Sequence, residues 1–196
     1  MGFELTVGPL DGIDEPGADE DSGWFEHCLD MFAVVNEHLA SLGLPPHTEP
    51  RSVPAGAYLG YRQPLLELLE LDAMLPDELR GTFDQVLMAG VGALFIPVDL
   101  PEPVWLEADG DGLWLGSVPR LLFQSAWLQR LVGEESWYDL EFATALYGAL
   151  LDQPLEGFPK ELQLMEGGGT AGAALSETLC CAAINAYETN SSIRIC

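Results

Sequence analysis

Apolar residues return every third or fourth position between Ser22 and Leu42, where Trp24, Phe25, Cys28, Phe32, Val35, Leu39 and Leu42 make one stripe. That spacing predicts an amphipathic helix with those residues inward. Ser22 or Asp21 can accept from its first free N–H groups, Gly43 can end it, and Pro45-Pro46 forbids continuation. A different rhythm governs Val104 to Val132. Val104-Trp105-Leu106 and Leu113-Trp114-Leu115 are rich in strand formers, and Asp109-Gly110-Asp111-Gly112 between them supplies turn residues, which predicts a β-hairpin. Ser117 then offers an N-cap, Pro119 suits the first turn, and Leu121, Leu122, Ser125, Leu128 and Val132 recur at helical spacing.

Elsewhere the pattern is shorter but readable. Phe3 to Val7 alternates as a strand stopped by Gly8-Pro9, and His47 to Tyr61 is a loop punctuated by Pro50, Pro54, Gly56 and Gly60. Pro64 opens a Leu-rich helix that ends near Pro76. Asp77 caps a short one with Leu79, Phe83, Val86 and Leu87 inward. Ala93 to Val98 reads as a strand that Pro97 places at an edge or a bulge. Ser136, with Asp139 three residues on, starts a further helix through Leu150. Gly167-Gly168-Gly169 precedes a last helix near Ala171 to Tyr187, and Ser192 to Cys196 alternates as a closing strand. The fold expected is α+β, with about five or six helices packed on a small, mainly antiparallel sheet, in a single compact domain over 1–196.

Charge alters this picture more than any motif. With 32 Asp and Glu against 7 Lys and Arg, the formal net charge is −25, while 48% of residues are hydrophobic. The apolar fraction argues for a core rather than disorder. The charge repels nucleic-acid phosphates and anionic membranes and attracts a basic partner. Keeping an apolar-rich chain soluble is the plainer use of the same charge. Residues 11–21 form an exposed acidic loop, and Asp14, Glu15, Asp19, Glu20 and Asp21 are the expected binding residues. The start, MGFELTVGPLDGIDEP, lacks the basic segment and apolar run of a secretory signal, and no window has the apolar length of a membrane span. Cys28, Cys180, Cys181 and Cys196 contain no C-x-x-C pair, so reduced thiols in a cytoplasmic protein are expected.

Candidate chemistry is sparse. His27 and His38, eleven positions apart, share a helical azimuth but stand about 16 Å apart, too far for one metal ion. Asp30 lies one turn from His27 and can orient its ring for acid–base work, although any solvated helix face offers such a pair. His47 follows two prolines in a loop and has no nearby partner in sequence. Asp109-Gly-Asp-Gly lacks the closing Glu of a calcium loop, so turn chemistry accounts for it. Gly167-Gly-Gly-Thr170 before a helix lacks the Lys of a phosphate loop, and no Gly-x-Ser-x-Gly elbow occurs. No cofactor and no metal are expected. The tryptophans at 105, 114, 127 and 137 are expected to be mostly core, the alternative being an exposed patch where a partner docks.

Phe3-Glu-Leu-Thr-Val-Gly8, Gly43-Leu-Pro-Pro-His47, Ile96-Pro-Val-Asp-Leu-Pro-Glu-Pro103, Leu115-Gly-Ser-Val118 and Ser192-Ile-Arg-Ile195 together resemble small acidic bacterial proteins with no established activity. The resemblance implies one bacterial cytosolic domain and transfers no functional residue. In size and charge the chain also resembles immunity proteins of bacterial toxin systems. The leading expectation is therefore a non-enzymatic acidic binding protein, concretely an immunity-type inhibitor of a basic toxin. The alternatives are a small hydrolase or transferase using His27 with Asp30, or His47, and a structural subunit.

Overall fold

The computed structural model describes residues 2–11, 22–53, 60–64, 81–89, 92–108, 111–131 and 170–195. Strands β1 (Gly2–Val7), β2 (Gly60–Pro64), β3 (Ala93–Ile96), β4 (Val104–Ala108), β5 (Asp111–Ser117) and β6 (Ile193–Ile195) form one six-stranded sheet in the order β2-β1-β6-β3-β5-β4. β3 and β5 are parallel, and the other neighbours are antiparallel. The described helices are α1 (Ser22–Ser41), α2 (Asp84–Met88) after a 3-10 turn at Gly81–Phe83, α3 (Val118–Leu131) and α4 (Thr170–Thr189). The chain is α+β with a mixed sheet. The helices expected at 64–76 and 136–150 fall, apart from Pro64 itself, outside the described residues.

Period-two alternation in the strands divides the core into two layers. Leu94 and Ile96 of β3, Leu106 of β4 and Leu115 of β5 pack with Phe25, Cys28, Met31, Phe32, Val35 and Leu39 of α1. Ala93 and Phe95 of β3, Leu5 and Val7 of β1, and Ile193 and Ile195 of β6 face α2, α3 and α4. Helices thus cover both faces. A Leu of the α1 layer such as Leu39, fully buried, contributes about 2 kcal/mol by its removal from water. α1 ends where the glycine was expected to end it: Leu44 N–H donates to Leu39 O at 2.9 Å and Gly43 N–H to Ala40 O at 3.0 Å, with Gly43 at φ +72°.

Several expectations change. Leu42 is 52% exposed rather than inward, because the chain has already left the helix at Ser41. Gly60-Tyr61 is not loop, and Pro64 is the last residue of β2 rather than the first of a helix. GYRQP has no apolar alternation to announce a strand; its pairing with β1 makes it one. β3 lies inside the sheet between β6 and β5, not at an edge, and Pro97 sits one residue beyond its end, where no ladder N–H is needed. α3 is buried from Leu121 through Ala126 rather than on one stripe, since the sheet lies on one side and α4 on another.

Candidate binding cleft

β5 leads directly into α3, and Ser117 at the junction accepts the Arg120 N–H on its Oγ at 3.3 Å, the cap expected from sequence. This places Arg120 at the mouth of the loop between β3 and β4. Its guanidinium grips Asp99 twice, Nε to Oδ1 at 2.7 Å and Nη2 to Oδ2 at 3.2 Å, and donates from Nη1 to Pro101 O at 3.0 Å. A bidentate fork with a backbone bond fixes a plane. It therefore holds Pro101-Glu102-Pro103 as one wall of a cleft.

The opposite wall is α2. Gln124 of α3 reaches its start, where Gln124 Oε1 accepts the N–H groups of Gln85 at 2.9 Å and Val86 at 3.2 Å. Its Nε2 donates to Asp84 Oδ1 at 2.6 Å, and Gln85 N–H donates to that same oxygen at 2.7 Å. Gln85, itself buried, accepts the Ser117 N–H on Oε1 at 2.9 Å. Two glutamines thus tie α2 to the β5–α3 junction, satisfying helix-start donors that would otherwise be orphaned.

Between the walls lies a cleft of about 690 Å³, lined by Gly81, Asp84, Met88, Pro101, Glu102, Pro103 and Trp114. Burial pushes the Asp84 carboxyl above its ordinary range, and the Glu102 charge adds to this. Hydrogen bonds from Gln124 and Gln85 N–H and the Arg120 charge oppose it. Trp114 meets Trp105 of β4 edge-on, with ring centroids 5.3 Å apart. Trp105 is 49% exposed, so the core expectation fails for this tryptophan, while Trp114 and Trp127 pack against the core as half-buried residues. Trp137 lies outside the described residues. The cleft presents an aromatic surface, proline walls and two carboxylates, which is suited to holding a cation.

Of the residues singled out from sequence, His27, Asp30 and His47 are not part of the cleft lining. His47 is not alone in its loop: its Nε2 is 2.7 Å from Glu49 Oε2, with the two side chains 2% and 1% exposed. Glu49 was missed because a loop acid two residues on looks solvated. Its carboxylate instead accepts Ser192 N–H at 2.9 Å, a contact that only folding creates. Asn36 of α1 accepts His47 N–H at 2.7 Å and donates to His47 O at 2.9 Å. The pair is sealed and staples loop, helix and sheet. His27 is exposed, and its Nε2 lies 3.5 Å from Arg194 Nη2 on β6; Asp30 is exposed on the same helix. Asp14, Glu15, Asp19, Glu20 and Asp21 lie outside the described residues. Asp11, at the start of that acidic run, accepts Val53 N–H at 2.8 Å.

Among the described residues no grouping of three or more His, Cys, Asp or Glu is placed to hold a metal ion. No helix among them is long and apolar enough to cross a membrane. Among the described residues Cys28, Cys180 and Cys181 are in no disulfide. No family model, curated protein or solved structure matches the chain.

Proposed function

We propose that this is a non-enzymatic binding protein of the cytoplasm whose acidic surface engages a basic protein partner. The observation that carries this reading is the cleft in which Asp84 and Glu102 flank Trp114. A Lys or Arg side chain entering it meets an aromatic ring and carboxylates together, and the net charge of −25 draws such a partner in from solution. An immunity-type inhibitor of a cationic toxin is the concrete form of the proposal, with the acidic residues Asp14, Glu15, Asp19, Glu20 and Asp21 as a second steering patch.

Calorimetric titration with a lysine-rich peptide, beside the same peptide acetylated on every lysine, tests this reading. The expected result is binding of the charged peptide that weakens steeply with salt and drops about tenfold in Glu102→Gln, a loss of about 1.4 kcal/mol. Equal affinity for charged and acetylated peptides would dispose of the proposal.

A further inference from the structure

β4 ends the described sheet, with β5 as its neighbour on one side. In an antiparallel strand alternate residues direct their N–H and C=O groups to opposite sides, so half of those on β4 point away from β5. The two ends of the sheet differ in how they meet this. β2 closes with Pro64, which has no N–H to offer. β4 instead displays Trp105, 49% exposed, and the exposed acid Glu107 two residues on, both on the face where Trp114 lines the cleft. The opposite face of β4 carries Val104 and Leu106, which pack in the α1 layer. An edge with a large exposed aromatic is a surface that proteins avoid unless something pairs with it.

We propose that the basic partner docks as an added strand along β4, alternating cationic and apolar residues. Its cationic residues fall on the face of Trp105 and Glu107, where one lies on the Trp105 ring and another meets the Glu107 carboxylate. Cross-strand neighbours stand about 5 Å apart, so a long cationic side chain near the start of β4 also reaches over Pro103 toward Glu102. The intervening apolar residues extend the layer of Val104 and Leu106. Backbone pairing supplies affinity and the alternation supplies choice, the division of labour that strand addition uses elsewhere. The charge of the edge selects the sign of the partner: Glu107 and Glu102 repel an acidic strand, including a second copy of this chain.

This inference rests on the binding reading above, and the test separates the two. The probe is an eight-residue peptide alternating lysine and valine, paired with a version N-methylated at every second backbone nitrogen on its bonding edge. Both carry the same charge, but the second cannot donate to a strand. The expected result is binding of the first with slowed amide exchange confined to β4, and at least tenfold weaker binding of the second. Equal binding of the two would overturn strand addition while leaving charge-driven capture standing. Binding of neither would overturn both.

Discussion

Glu49 and Ser192 are 143 positions apart in the chain, and the Glu49 carboxylate accepts the Ser192 N–H on both oxygens, at 3.2 and 2.9 Å. One of those oxygens also holds His47 Nε2 at 2.7 Å. The contact joins the loop after α1 to the entry of β6, so it closes the middle of the sheet. Because the site is buried, each partner that Glu49 leaves behind has no water to turn to. Glu49→Ala should therefore lower stability by about 3 kcal/mol, whereas Glu49→Gln, which keeps an acceptor for Ser192, should lose less. Urea unfolding monitored by tryptophan emission measures both; a loss below about 1 kcal/mol for the alanine variant would remove the staple from the account. His47→Gln should follow the same pattern, as a stability loss.

Trp105 lies across Gly112, and a Cβ at 112 would overlap its indole ring. Gly112→Ala should push the ring outward, break its edge contact with Trp114 and cost about 1 kcal/mol. With Trp105 already replaced by Ala, the same change should cost nothing, since the obstruction is gone. A double-mutant cycle reads the coupling directly. Additive effects would mean that the ring does not need that space.

Asp84 sets a pH dependence whose sign follows from its raised carboxyl. The fold favours the protonated form, so the stability tied to this group is present below the ordinary aspartate range and is lost as pH rises through the raised value. Asp84→Asn keeps an oxygen for Gln124 and Gln85 N–H and never ionises. Compared with the parent chain, it should gain stability as pH climbs through the ordinary carboxylate range toward neutrality. It should also bind cationic peptides more weakly. Thermal unfolding across that range, with binding at its upper end, checks the two together; a stability difference independent of pH would count against the assignment.

Cys180 and Cys181 are neighbours with different chemistry. Burial, then the adjacent Cys181, push the Cys180 thiol up to about 12, despite a hydrogen bond with Ser125 of α3. Cys181 is only half-buried. Alkylation of the folded protein near neutral pH should label Cys181 well before Cys180, and unfolding should equalise them. Mass spectrometry of a time course would show this; simultaneous labelling would mean that α3 does not cover Cys180.

Much of the local structure was legible in the order of residues, and the reasons are specific. α1 announces itself through Phe25, Cys28, Phe32, Val35 and Leu39 because a helix buries whichever face repeats at its own period. The β4–β5 strands follow from strand formers on either side of Asp-Gly turns, and the Ser117 cap from a hydroxyl just before a helical stripe. α4 and β6 were similarly visible near the chain end. β2 was not, since GYRQP carries no apolar alternation and exists as a strand through its pairing with β1.

The sequence by itself determined the helices and strands whose burial pattern matches a helical or strand period, and it determined the sign of the net charge. The tertiary structure decided strand order, the interior place of β3, and the joining of Asp84, Glu102 and Trp114 at one cleft. It also decided that His47 is buried against Glu49. These are contacts between residues distant along the chain. Periodicity reports which face of a segment avoids water, and it carries no information about which other segment that face will meet.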